Sequence, residues 1–112
     1  MSQQNLAILT LSVVASGAVA ASRFVTVAGA QAGAAANTLG VARYGVASGA
    51  ALAVDVLGTT VAEAGAAVSA GAALETDTNG KAITKTTGPT VGRALQAATG
   101  AGQFIEVLLI AN

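Results

Sequence analysis

Residues 74–84 read LETDTNGKAIT. Asp77-Thr78-Asn79-Gly80 is the clearest turn in the chain, because Asn and Gly tolerate the positive φ that tight hairpin turns require. Leu74–Thr76 is therefore expected to pair with Ala82–Thr84 across it. The sequence leaves open a two-residue loop or a longer loop with a bulge.

The same grammar recurs outward from this hairpin. Ala51–Leu57 (ALAVDVL) alternates, with Leu52, Val54 and Val56 expected inward and Asp55 outward. Gly58 punctuates it, and Thr59–Glu63 resumes as strand. Gln103–Ile110 is the most apolar segment. Ile105, Val107 and Leu109 fill one face; Phe104, Leu108 and Ile110 fill the other, interrupted by Glu106. A strand apolar on both faces is central in a sandwich or barrel, or is covered by a neighbouring subunit. Ser22–Ala28 reads as a further strand, and Leu39–Val46 gives a short strand around Gly40-Val41-Ala42. Gly29–Asn37 reads as a loop with a helical turn, since two glycines oppose a longer helix. Gly65-Ala66-Ala67-Val68 is echoed by Gly71-Ala72-Ala73-Leu74, which reads as a turn followed by a strand start, because two copies are too few for a solenoid. Short strands with Gly-rich turns, and one Pro (Pro89) in a loop, give an all-β class: a small β-barrel or sandwich.

The N-terminal segment stands apart. Leu6–Ala21 (LAILTLSVVASGAVAA) has the apolar character of an export signal, but MSQQN ahead of it carries no Lys or Arg, where a signal opens with positive charge. The run is also shorter than the roughly 20 apolar residues of a membrane helix and is interrupted by Thr10, Ser12, Ser16 and Gly17. It reads instead as an extended arm and first strand over residues 1–21, ahead of a single β-rich domain over residues 22–112. Ala7, Leu9, Leu11 and Val13 lie on one face; Leu6, Ile8, Thr10 and Ser12 lie on the other. A terminal strand apolar on both faces is either sandwiched in the fold or laid on a partner.

Composition narrows the function. The 112 residues carry five Lys or Arg against five Asp or Glu, for a net charge of zero. That balance argues against an electrostatic grip on nucleic acid or anionic lipid. His, Cys and Trp are absent, which removes His-based acid–base catalysis, thiol chemistry, disulfides and the usual zinc and iron–sulfur ligands. Leu, Ile, Val and Phe make up 29 of the 112 residues, enough for a thin core. Charged residues are only 9%, against roughly 25% in an average soluble domain. Much of the surface is therefore expected to be covered, by further copies of the chain, a larger assembly or a membrane.

The search for chemistry is negative. Lys81 and Lys85 flank a hairpin with no SxxK motif. Asp55, Glu63, Glu75, Asp77 and Glu106 have no aromatic-lined cleft to share and read as solvated edges and turns. Gly80-Lys81 lacks the remaining P-loop residues, with Glu75 in place of Gly and Ala82 in place of Ser or Thr. Glu75-x-Asp77-x-Asn79-Gly80 imitates the start of a calcium loop, but Thr86 stands where the bidentate Glu belongs. No catalytic, cofactor-binding or metal-ligating residue is assigned. Arg23, Arg43 and Arg93 are isolated and read as halves of intersubunit ion pairs or as surface charges.

From Leu39 to Leu109 the chain resembles the small capsid cement, or head decoration, proteins of tailed bacteriophages. The resemblance rests on Leu39-Gly40-Val41-Ala42, Gly65-x-x-Val68-x-x-Gly71-x-x-Leu74, Asp77-x-x-Gly80-Lys81-Ala82, Gly92-Arg93-Ala94-Leu95 and Gly102-x-x-Ile105-x-Val107-Leu108-Leu109. It implies a β-rich structural module, made in the host bacterial cytoplasm, that sits on the outer surface of the virion capsid and braces the shell against packaged DNA. The implied partners are the major capsid protein and further copies of the chain, a trimer first and a dimer as the alternative. Neither nucleic acid nor membrane is expected as a direct partner, and no cofactor. Leu6, Ile8, Leu9, Leu11, Arg23, Arg43, Arg93 and Phe104 are the residues expected at capsid or subunit contacts. Two rival classes follow from single features: a secreted or surface-exposed adhesive or fibre subunit, from the signal-like N-terminus, and a ligand-binding β-barrel, from the fold class alone. Aromatic poverty counts against the second.

Overall fold

A computed structural model describes residues 3–112, and among them it contains eight strands and no helix. These are β1 (Ala7–Val14), β2 (Phe24–Val25), β3 (Gly40–Ala42), β4 (Ala51–Glu63), β5 (Ala73–Thr76), β6 (Ala82–Thr84), β7 (Gly92–Ala94) and β8 (Phe104–Leu109). All ladders are antiparallel, and the strand order is β2-β3-β4-β8-β7-β5-β6 with β1 added on β4. A bridge between Ala64 and Ala82 returns β6 to the end of β4 and closes β4, β8, β7, β5 and β6 into a small barrel.

β4 organises the molecule, and Gly58 divides it. Before Gly58 the strand pairs with β1 and β3; after it the strand pairs with β8. Gly58 has φ +98°, and a Cβ there would collide with the Leu6 carbonyl oxygen. Only glycine fits such a bend at such close approach, and the β1 register shifts beside it.

The strands on either side of Gly58 form two equivalent halves. β1–β4 pairing before Gly58 corresponds to β4–β8 pairing after it, β2–β3 to β5–β7, and β3–β4 to β7–β8. The connecting loops repeat as well. In the first half Val19 and Val46 bridge each other, Gly49 N donates to Ala15 O (2.7 Å) and Ser22 N donates to Ala42 O (2.9 Å). In the second half Val68 and Ala98 bridge, Gly71 N donates to Ala94 O (2.7 Å) and Gly102 N donates to Ala64 O (2.8 Å). The four matching residues Ser22, Gly49, Gly71 and Gly102 all have positive φ, from 62° to 87°. The short echo at Gly65 and Gly71 is thus a turn leading through a bridge into β5, one of four such turns in the chain.

Each half encloses its own apolar cluster. Leu74, Val91, Ile105, Val107 and Leu109 fill the barrel, joined by Phe24 and Val41 from the first half. Ala15, Val19, Val25, Ala42, Leu52 and Val54 form the second cluster, with Val13 and Leu39 against it. Burying each larger side chain contributes about 1.5–3 kcal/mol.

Most sequence expectations hold, and several are corrected. Leu74, Glu75 and Thr76 pair with Thr84, Ile83 and Ala82 as expected, and the turn is the longer loop, Asp77–Lys81. Asp77 Oδ1 accepts from Asn79 N and Lys81 N, at 2.8 and 2.9 Å. Between barrel and sandwich, the barrel is formed. The short strand expected around Gly40-Val41-Ala42 is found at Gly40–Ala42, whereas the strand expected over Ser22–Ala28 is only Phe24–Val25, because the flanking residues form the repeated loops. Asp55 does not face outward: it is fully buried, because β1 and β3 flank β4 there and the first half packs on the second. Glu75 and Glu106 are likewise buried.

Candidate assembly surface

The charged side chains mostly fasten the two halves together. Asp55 accepts hydrogen bonds from Thr10 Oγ1 and Thr60 Oγ1, both 2.9 Å, one on each side of the Gly58 bend. Arg43 Nε lies 3.4 Å from the same carboxylate. Glu63 holds Arg23 Nε at 3.1 Å and Lys81 Nζ at 3.2 Å. Arg23 also donates to Asn79 O (3.0 Å), so it ties the approach to β2 onto the hairpin turn. Burial pushes the Glu63 carboxyl up, but hydrogen bonds and charge from Arg23 and Lys81 outweigh this and hold it below the usual value.

Glu75 has a different partner set. Its Oε1 accepts three backbone N–H bonds, from Thr86 (2.7 Å), Thr87 (3.0 Å) and Gly88 (2.9 Å). The Thr86 and Gly88 bonds lead in lowering its pKa, against the opposing effect of desolvation. This carboxylate pins the loop that carries Pro89. Among the described residues no three His, Cys, Asp or Glu side chains lie close enough to share a metal ion.

What the surface offers instead is exposed apolar strand. β1 pairs with β4 along one edge and has no strand partner on the other among the described residues. Ile8 is 83% exposed and Leu6 60%, with Leu9, Leu11 and Val14 also open. No residue before Arg23 is charged. Soluble proteins normally blunt such edges with charge, proline or a covering element. Five of the eight residues singled out from sequence, Leu6, Ile8, Leu9, Leu11 and Phe104, are thus exposed apolar groups. Ser2, at the start of the arm, lies outside the described residues.

The three arginines divide. Arg23 is engaged within the chain by Glu63. Arg43 reaches Asp55 yet keeps 46% of its side chain exposed. Arg93 bonds only the Gly71 carbonyl oxygen (3.0 Å) and has no carboxylate within 4 Å among the described residues. Sequence reasoning did not single out Leu57, Leu108 or Val14, which are also exposed. Leu108 was detectable, since it alternates with Phe104 on the same face of β8.

The described residues thus form an all-β barrel whose first strand leaves an apolar edge open. The chain belongs to the phage cement protein family, whose model matches residues 2–109. It is a structural, capsid-associated phage protein. Its fold is similar to that in the crystal structure of the head fiber gp8.5 N base in bacteriophage phi29. The TM-score is 0.76 at 20% identity, covering 91% of this chain and 93% of that one. A search of curated proteins finds no match.

Proposed function

We propose that this chain is a non-enzymatic cement module that binds the major capsid protein through β1 and the arm before it, and so braces the shell against packaged DNA. The observation that supports this reading is the uncharged edge of β1 with Leu6 and Ile8 in solvent. Strand addition satisfies the open backbone groups of such an edge and buries alternate side chains in the acceptor. Several weak contacts, each to a different shell subunit, add up through effective concentration. Self-association accompanies this role, as a trimer first, with a dimer as the alternative. Arg43, half-exposed beside Asp55, is the arginine we assign to a subunit contact. Nucleic acid and membrane have no part in it.

Co-sedimentation tests the reading. The purified chain, mixed with expanded, undecorated capsids of its source phage, is expected to comigrate at a fixed, saturable copy number. Ile8→Lys is expected to abolish comigration with the fold intact, because Ile8 faces solvent in the free chain. Deleting Ser2–Leu11 is a poorer test, since Leu11 stands opposite Val54 of the second core. A folded wild-type chain left at the top of the gradient would refute the reading. It would favour an adhesive or fibre subunit, the alternative that the head-fibre neighbour supports.

A further inference from the structure

The two halves carry the same row of residues in opposite circumstances. In the first half Thr10, Asp55, Val41 and Phe24 stand opposite one another across β1, β4, β3 and β2. Asp55, Val41 and Phe24 are fully buried there. The matching row in the second half is Thr59, Leu108, Arg93 and Ala73, across β4, β8, β7 and β5. Here Leu108 and Arg93 are exposed, and so is Phe104 on the same face of β8. A face that is an internal interface in one half is open in the other.

This open face holds an unbalanced charge. Glu106 lies between Phe104 and Leu108, since side chains alternate along a strand. It is only 2% exposed, and its Oε1 is buried with no hydrogen-bond partner. A buried carboxylate oxygen without a hydrogen-bond partner is costly to leave so. Among the described residues no cation of this chain serves it: Arg23 and Lys81 hold Glu63, and Arg43 holds Asp55. Arg93 stands opposite Leu108, one strand away from Glu106 and two residues further along β8. It has no carboxylate of its own. A positive and a negative group therefore sit side by side on one apolar face.

We infer that this face docks against a second copy of the chain, the Arg93 guanidinium of each copy meeting Glu106 of the next, with Phe104 and Leu108 closing around the pair. Neighbouring opposite charges make a patch self-complementary under rotation: two copies form reciprocal pairs, and three form a ring. In the single chain the segment of residues 3–5 is fastened beside Glu106. Asn5 Oδ1 accepts from Val61 N (2.8 Å), opposite Glu106, and Gln3 Nε2 donates to Phe104 O (2.7 Å). Both bonds are made by exposed side chains, and docking exchanges this segment for the guanidinium.

Sedimentation equilibrium of the free chain tests this without any capsid, so its outcome is separate from that of the cement reading. The wild type is expected to form a dimer or trimer. Arg93→Glu, at an exposed site, is expected to stay folded by circular dichroism and to weaken association at least about tenfold, because like charges then face each other. Glu106→Gln, which keeps the shape, is expected to weaken it in the same direction. The double variant R93E/E106R is expected to recover association. A wild type that stays monomeric at a concentration of about 10⁻⁴ M would overturn the inference. So would an R93E protein that associates like the wild type, or a folded double variant that does not recover.

Discussion

Replacing Asp55 with Ala should be the most damaging single change to a charged residue. Asp55 is fully buried, and its carboxylate joins Thr10 on β1, Thr60 beyond the Gly58 bend and Arg43 after β3. In D55A, Thr10 and the half-exposed Arg43 turn to water at little cost. Thr60 is 2% exposed and is left with an unpaired hydroxyl, worth about 1–3 kcal/mol. The lost carboxyl also leaves a small cavity, adding about 1 kcal/mol. The sum, about 3 kcal/mol, agrees with the ~3–5 kcal/mol typical of breaking a buried charged pair. At about 4 °C per kcal/mol for a chain of this size, the melting temperature should fall by about 12 °C. Asp55→Asn keeps the shape and should fall by less than half of that. Thermal and urea unfolding of both variants would read this directly. A D55A protein within about 1 kcal/mol of wild type would refute the view that Asp55 bolts the two halves together.

Phe24→Ala should cost about 3–5 kcal/mol, because this fully buried ring from the first half fills the barrel of the second; chemical denaturation checks it. Gly40→Ala and Gly92→Ala test the equivalence of the halves. A Cβ at Gly92 would lie 2.6 Å from Val107 Cγ1, and one at Gly40 would collide with the Asp55 carbonyl oxygen. Both should destabilise, Gly40→Ala more, since backbone yields less than a side chain. In acid, both Glu63 and Glu75 have folded pKa values below the ordinary 4.5. Their stabilisation is present above that value and is lost as pH falls through the lowered folded values. Unfolding free energy should therefore drop below about pH 4.5, and Glu75→Gln should flatten the drop; an unchanged pH profile in E75Q would count against the Glu75 clamp.

The sequence determined a good deal of this. Asn79-Gly80 and its flanking strands set the β5–β6 hairpin, because turn chemistry is local. Alternation in Gln103–Ile110 placed Ile105, Val107 and Leu109 inward. The two-sided apolar pattern of Leu6–Val13 anticipated a strand with apolar side chains left exposed. The tertiary structure decided what depends on neighbours distant in the chain. Asp55 looked outward by alternation, yet β1 and β3 close over it from both sides. The duplication escaped the sequence because its two copies share backbone geometry more than side chains: Val41 answers to Arg93, and Asp55 to Leu108. A loop that needs only a positive φ and a small residue accepts Ser22 as readily as Gly71, so selection for shape leaves little trace in the letters. Whether Glu106 would lie in solvent or stand buried and unpartnered depended on strand register and on the path of residues 3–5, both fixed only when the whole chain packs.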